Sequence, residues 1–285
     1  MEKRNLIIGG FTNYGINQLK PWVLSAKEVA GNNDVVLVYG NTSQETLDWL
    51  QEQGILLWPM IGVQNVPIHV LRFLSIYEML RQKWEEYEYV VTTDVKDVYF
   101  QSNPFEIFEQ PLYQNNNYKL VVASEGLIYK DEPWGNQNLY QTYGPYVYEL
   151  FKDNEIFNVG TFGGHAEYVK DMVFNIFTNA TNRPIPIVDQ AVFNVLINTH
   201  PFKDIVHKTN NWAAELGTIM DPSKIEQFRP NLLVVEPFFE GGLLQDYKEH
   251  LYPIVHQYDR VPEIKKYVQE WYGQEDESQY FTYRT

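Results

Sequence analysis

Cysteine is absent from the 285 residues. Its absence excludes a disulfide framework, a cysteine-ligated zinc, an iron–sulfur cluster and a thiol nucleophile. Basic residues are scarce: 22 Lys and Arg stand against 37 Asp and Glu, a formal charge of −15. A chain that coats nucleic acid needs a positive face, so no nucleic-acid partner is expected. Long hydrophobic runs are also missing. The longest apolar stretch, Gly54 to Val63, is broken by glycine and proline and falls short of the ~18 residues of a membrane span. The first apolar run, Leu6-Ile7-Ile8, is too short for a secretory signal core. A soluble, cytoplasmic protein is therefore expected. Asn41-Thr42-Ser43 and Asn179-Ala180-Thr181 match glycosylation sequons, and without a leader they read as chance matches.

What is abundant is aromatic: 21 Tyr, 16 Phe and 7 Trp. Tyr and Trp in that number suit a core whose edges reach a polar ligand such as a sugar. The apolar share of 44% is too high for a disordered chain. We see no repeat, low-complexity block or linker, so one domain over residues 1–272 is expected, followed by a polar tail at 273–285.

The first half alternates strand and helix patterns. Leu6 to Ile8 ends at Gly9-Gly10, and Asp34 to Tyr39 is a continuous apolar strand. Ile55 to Trp58 is stopped by Pro59, and Tyr89 to Thr93 is a fourth strand. Between them, Asn17 to Ala30, Ser43 to Gln53 and Pro67 to Trp84 carry apolar residues three and four apart, as helices do. This alternation predicts an α/β fold with a mostly parallel central sheet, whose carboxyl-end edge takes the ligand. In the second half, strands are expected at Lys119 to Ser124, Leu232 to Val235 and Pro253 to His256. Helices are expected at His165 to Phe177, Val188 to Ile197 and Pro262 to Trp271. Asp131 to Tyr143 and Thr209 to Leu216 read as irregular, and their Trp134 and Trp212 read either as sugar platforms or as ordinary packing.

Several motifs fail on their own terms. Gly10 to Gly15 has the glycine spacing of a phosphate loop, but Ile16-Asn17 stands where Lys-Ser or Lys-Thr is needed. The glycines do not make a dinucleotide fingerprint. His165-Ala166-Glu167 lacks the cysteines of a zinc deaminase.

The strongest local signal is Tyr89 to Phe100, where a strand delivers Asp94 and Asp97 just past its end. Two hard oxygen donors there suit Mg²⁺ or Mn²⁺, which take remaining ligands from water and substrate phosphate. On these residues alone, a cap and a solvated aspartate read equally well.

The layout resembles the GT-A class of nucleotide-sugar-dependent glycosyltransferases, glycogenin-like enzymes with an Asp-x-Asp metal motif. Arg72-Phe73 through Tyr77-Glu78-Met79-Leu80 and Tyr87 to Asp97 is similar to that class's helix, strand and acidic turn. Phe157 to Gly164 resembles its Phe-Asn-Ala/Ser-Gly segment, Val188-Asp189-Gln190 its Asp-Gln helix start, and Ile254 to Asp259 its late histidine segment. The blocks come in the right order between about Leu6 and Arg260. The acidic pair departs from the class by one residue, Asp-x-x-Asp, which leaves open which carboxylate touches the metal.

The resemblance implies a single GT-A (Rossmann-like) domain. About 1–100 would bind the nucleotide, and about 101–272 the acceptor. It implies Mn²⁺ or Mg²⁺ on Asp94, Asp97 and His256. The donor, a nucleotide sugar of UDP type, would meet Thr12, Tyr14, Arg72, Asp94 and Asp97. A carbohydrate acceptor would lie over Asn158 and Asp189, the latter holding sugar hydroxyls or acting as base. Gly160, Gly163 and Gly164 would admit close backbone approach. Two rivals remain: a nucleotidyltransferase that makes nucleotide sugars, and a non-catalytic carbohydrate-binding protein of the same fold.

Overall fold

Runs of Val, Leu and Ile that are apolar on both faces form the middle of a sheet covered by helices on each side. The computed structural model describes residues 3–63 and 66–274. Twelve strands occur among them: β1 (Arg4–Phe11), β2 (Asp34–Tyr39), β3 (Leu56–Pro59), β4 (Tyr87–Thr93), β5 (Val98–Phe100), β6 (Leu120–Ile128), β7 (Glu155–His165), β8 (Val206–Thr209), β9 (Ala213–Glu215), β10 (Phe238–Glu240), β11 (Leu243–Gln245) and β12 (Ile254–His256). The longer helices are α1 (Ile16–Ala30), α2 (Gln44–Glu52), α3 (Ile68–Lys83), α4 (Pro133–Phe151), α5 (Ala166–Ala180), α6 (Asp189–Ile197) and α7 (Pro262–Tyr272).

The main sheet has seven strands in the order β3-β2-β1-β4-β7-β6-β8. The β3, β2, β1 and β4 strands run parallel, β7 runs antiparallel to both neighbours, and β8 is parallel to β6. The α1 helix buries Leu19, Trp22, Val23, Ala26 and Ala30 on one face of the sheet. The α3 and α5 helices bury Phe73, Ile76, Leu80, Val169, Met172 and Ile176 on the other. Ser43 caps α2, its Oγ accepting from the Thr46 amide at 3.1 Å, as its sequence position predicts.

The β7 strand fits between β4 and β6 because it is glycine-rich. Gly164 has φ 155°, and a side chain there would lie 2.1 Å from the Lys119 carbonyl oxygen. A separate small sheet, β5-β12-β9, pairs β12 antiparallel to β5 and parallel to β9. It extends from the carboxyl edge of the main sheet, where the Asp94-to-Asp97 turn joins β4 to β5.

Three expectations fail. Thr209 to Leu216 is not irregular throughout, since Ala213–Glu215 forms β9 against β12. Leu232 to Val235 is not a strand; it runs as irregular chain over Gly126, tied by the Leu233 amide to the Gly126 carbonyl at 2.8 Å, with Leu233 and Val235 exposed. Its apolar run packs Val234 on one glycine rather than pairing along its length. Asp131 to Tyr143 is not irregular: Pro133 starts α4, and the Glu132 carboxylate caps its first amides. Of the expected tail, residues 275–285 lie outside the described residues. Among the described residues, no helix is long and apolar enough to cross a membrane.

Candidate functional site at the sheet's carboxyl edge

A cleft of about 1060 Å³ opens where β1 and β4 end. All eight residues singled out from the sequence line it: Thr12, Tyr14, Arg72, Asp94, Asp97, Asn158, Asp189 and His256. Its volume lies at the upper end of the ~300–1,000 Å³ of common ligand pockets.

Strand register assembles the acidic end. The Asp94 amide donates to the Gly160 carbonyl of β7 at 2.7 Å, fixing the exit of β4. In the small sheet, His256 of β12 stands opposite Val98 of β5 and beside Glu215 of β9. His256 Nε2 thereby comes 3.6 Å from Asp94 Oδ2 and 3.6 Å from Asp97 Oδ1. One ligand atom from each of the three residues lies within 4.8 Å of the others. Behind the imidazole, Nδ1 is 2.6 Å from Glu215 Oε2, and Thr161 Oγ1 donates to the other Glu215 oxygen. A carboxylate behind a histidine fixes the ring and leaves the far nitrogen for a metal. The donor set, two carboxylates and one imidazole, fits Mn²⁺ or Mg²⁺.

The charges here hold one another. Burial alone would push the His256 imidazole down, but Glu215 and Asp97 outweigh it and hold its pKa up at about 10. Burial opposes ionisation of Asp97, yet His256 keeps it below the ordinary carboxylate range. Arg72 of α3 is buried, which lowers its pKa against the opposing pull of Asp189 and Asp97. It donates to Asp94 Oδ1 and lies 3.5 Å from Asp189 Oδ2.

At the β1 end, the Tyr14 ring stacks with Phe11 at 6.5 Å and 12°. Burial and then the nearby Asp97 raise its phenol's pKa. Thr12 Oγ1 accepts from the Asn41 amide at 3.0 Å. Gly160 sits in the middle: a Cβ there would lie 2.7 Å from His256 Cε1, 2.8 Å from Asn158 Oδ1 and 2.9 Å from Asp94 Cγ. Only glycine permits that approach.

The opposite wall holds residues the sequence reading missed. Glu125 on β6 is buried, and its Oε1 accepts from Asn158 Nδ2 and Gln190 Nε2, each at 2.8 Å. The sequence sign was faint: Glu125 directly follows the expected strand end at Ser124. Glu215 gave no local sign, because its role depends on β9 lying beside β12. Lys96, Arg260 and Glu132 also line the cleft. The two tryptophans part company. Trp134 is 51% exposed at the cleft, whereas Trp212 is 1% exposed and its indole donates to the Pro104 carbonyl at 2.8 Å. Trp212 is therefore core and not a sugar platform.

No protein-family model matches the chain, and no curated protein matches it in sequence. Solved structures do. The glycosyltransferase GlyE of Streptococcus pneumoniae TIGR4 matches over 95% of this chain with a TM-score of 0.52 and 15% identity. The chain spans 64% of that GlyE structure, less than two thirds of its length. Mouse xyloside xylosyltransferase 1, in its apo form, matches over 89% of this chain and 97% of its own, with a TM-score of 0.50 and 13% identity. Both neighbours are GT-A-like, and at such identities the likeness is one of fold. The chain thus has the GT-A fold of glycosyltransferases, a single α/β domain with a mostly parallel central sheet flanked by helices.

Proposed function

We propose that this protein is a metal-dependent glycosyltransferase, moving a sugar from a nucleotide-sugar donor of UDP type to a carbohydrate acceptor. One observation carries the reading: Asp94, Asp97 and His256 converge within 4.8 Å in the large cleft at the sheet edge of a GT-A fold. These three side chains hold Mn²⁺ or Mg²⁺ in this reading. The ion supplies Lewis-acid stabilisation of charge on the departing nucleoside diphosphate. A protein of charge −15 needs such local positive charge to bind a diphosphate.

The chain's residues do the rest. Residues of about 1–100 take the donor: Tyr14 stacks on the base, Thr12 bonds to it, and Arg72 turns its fork of donors toward the diphosphate. Lys96 and Arg260 add cationic charge on the same side of the cleft. Residues of about 101–272 take the acceptor. Asn158 and Asp189 face the sugars from β7 and α6, and Asp189, steadied by Arg72, accepts from a sugar hydroxyl or takes the acceptor's proton. Trp134 offers an aromatic face at the cleft.

The test is hydrolysis or transfer from a panel of nucleotide sugars after EDTA treatment, with and without added Mn²⁺. Mn²⁺-dependent turnover that disappears in Asp94→Ala and Asp97→Ala is expected. No binding or turnover of any nucleotide sugar by the wild type would overturn the reading. Pyrophosphate release from nucleoside triphosphate plus sugar phosphate would favour a nucleotidyltransferase, although the Gly9-to-Gly15 loop has no basic residue to hold a triphosphate. Glycan binding that ignores EDTA, with no nucleotide affinity, would favour a non-catalytic carbohydrate-binding protein.

A further inference from the structure

Glu125 is a buried carboxyl group with no cation paired to it among the described residues. Its acidic neighbours already have partners of their own. Glu215 is bonded to His256, Asp94 and Asp189 flank Arg72, and Glu132 accepts from the Trp134 and Gly135 amides at 3.3 and 2.5 Å. The partners of Glu125 are neutral, and their orientation is fixed by the backbone. The Gly160 amide donates to Asn158 Oδ1 at 2.7 Å, and the Val159 amide donates to Gln190 Oε1 at 2.8 Å. Each side-chain amide must therefore turn its nitrogen toward Glu125. Both nitrogens donate to the same carboxyl oxygen, Oε1. That oxygen is filled as an acceptor, so a proton on Glu125 sits on Oε2, and the residue lines the cleft.

We propose that Glu125 stands in the cleft as a carboxylic acid, with Oε2–H as a hydrogen-bond donor to an oxygen of the bound sugar. The identity of that ligand rests on the glycosyltransferase reading; the placement of the proton does not. The charged and titratable groups around Glu125 agree. Glu215 from β9 and Glu132 before α4 disfavour a third negative charge, and His256 from β12 and the hydrogen bond from Asn158 of β7 oppose them only in part. Tyr129, at the end of β6, is a buried neutral phenol held far from ionisation. Thr218 donates to the Glu125 backbone carbonyl at 2.6 Å and not to the carboxyl group. Burial first, and these carboxylates second, push the Glu125 carboxyl up to about 8. At neutral pH the cleft therefore offers a sugar oxygen an O–H where a carboxylate would demand a hydroxyl hydrogen.

The Glu125→Gln variant imitates the protonated form, because its amide keeps one acceptor oxygen and a donor. Glu125→Ala removes both. Carbon-13 carboxyl spectra of glutamate-labelled wild type and Glu125→Gln, loaded with diamagnetic Mg²⁺ and titrated from pH 4 to 10, identify the Glu125 signal by its loss. A midpoint near 8 is expected; a midpoint in the ordinary glutamate range near 4.5 overturns the proposal. In the turnover assay, Glu125→Ala is expected to lose about a hundredfold and Glu125→Gln to recover at least about tenfold of that loss. The wild type should lose kcat/KM above pH ~8, and Glu125→Gln should lack that alkaline limb. A folded Glu125→Gln as inactive as Glu125→Ala overturns the donor role, since a base or nucleophile cannot be replaced by an amide. A wild type inert toward every nucleotide sugar overturns the glycosyltransferase reading, and the carbon titration alone then decides the proton.

Discussion

The cleft has two walls, and they handle buried carboxylates in opposite ways. The β5-β12-β9 wall answers charge with charge: Glu215, fully buried, is bonded to His256, which faces Asp94 and Asp97. The β6-β7-α6 wall answers charge with neutral amides: Glu125 meets Asn158 and Gln190. The residue type is the same, and both are buried, Glu215 fully and Glu125 at the cleft surface. What differs is the partner that strand register places opposite: an imidazole for Glu215, side-chain amides for Glu125.

The largest effects should come from emptying the charged wall. Asp97→Ala, Asp94→Ala and His256→Ala each remove a proposed ligand, and Mn²⁺ affinity measured by calorimetry should fall by more than about a hundredfold. Glu215→Gln leaves all three in place but takes the carboxylate from behind the imidazole. An affinity loss of about 10- to 100-fold is expected there. Equal affinity in wild type and Glu215→Gln would mean that the charged wall does not orient its histidine.

Gly160 is where the walls meet, so Gly160→Ala strains both at once. Its Cβ would press on His256, Asn158 and Asp94 together. A loss of about 1–3 kcal/mol is expected from forcing atoms into so tight a site. Urea denaturation measures that loss, and Mn²⁺ affinity should weaken alongside it. A variant as stable as wild type would show that the walls are looser than the contacts around Gly160 imply.

The two walls also differ in how far the sequence announced them. Strands β1 to β4 were legible because each is a compact apolar run between helix patterns, and Asp94 and Asp97 follow from where β4 must end. His256 was reachable as the polar end of an apolar run. Glu215 and Glu125 were not, because a glutamate's meaning here depends on a strand distant in sequence. The β7 strand escaped for a related reason: Gly160, Gly163 and Gly164 look like a turn until β4 and β6 press against them. Leu232 to Val235 misled in the other direction, since an apolar run packs as well on a single glycine as in a ladder. Trp212, in a stretch of polar residues, gave no hint that Pro104 would receive its indole.

The last expected effect separates the walls by pH in metal-free protein. Glu125 has a folded pKa of about 8 against an ordinary 4.5, and His256 about 10 against 6.5. In both cases the folded state holds a proton that the unfolded chain has released, so stability falls as pH rises. The Glu125 contribution is complete below pH 4.5 and gone once pH passes about 8; that of His256 is complete below 6.5 and is lost as pH rises through about 10. Urea midpoints in EDTA should therefore decline in two stages. Glu125→Gln should flatten the decline between pH 4.5 and 6.5, lessen it between 6.5 and 8, where His256 also contributes, and leave the stage between 8 and 10. Glu215→Gln removes the main charge holding the imidazolium, so it should move the later decline to lower pH, and because Glu215 also raises the Glu125 carboxyl it should shift the Glu125 stage down with it. Curves that stay parallel to wild type in both variants would show that neither wall holds its proton by the partners described.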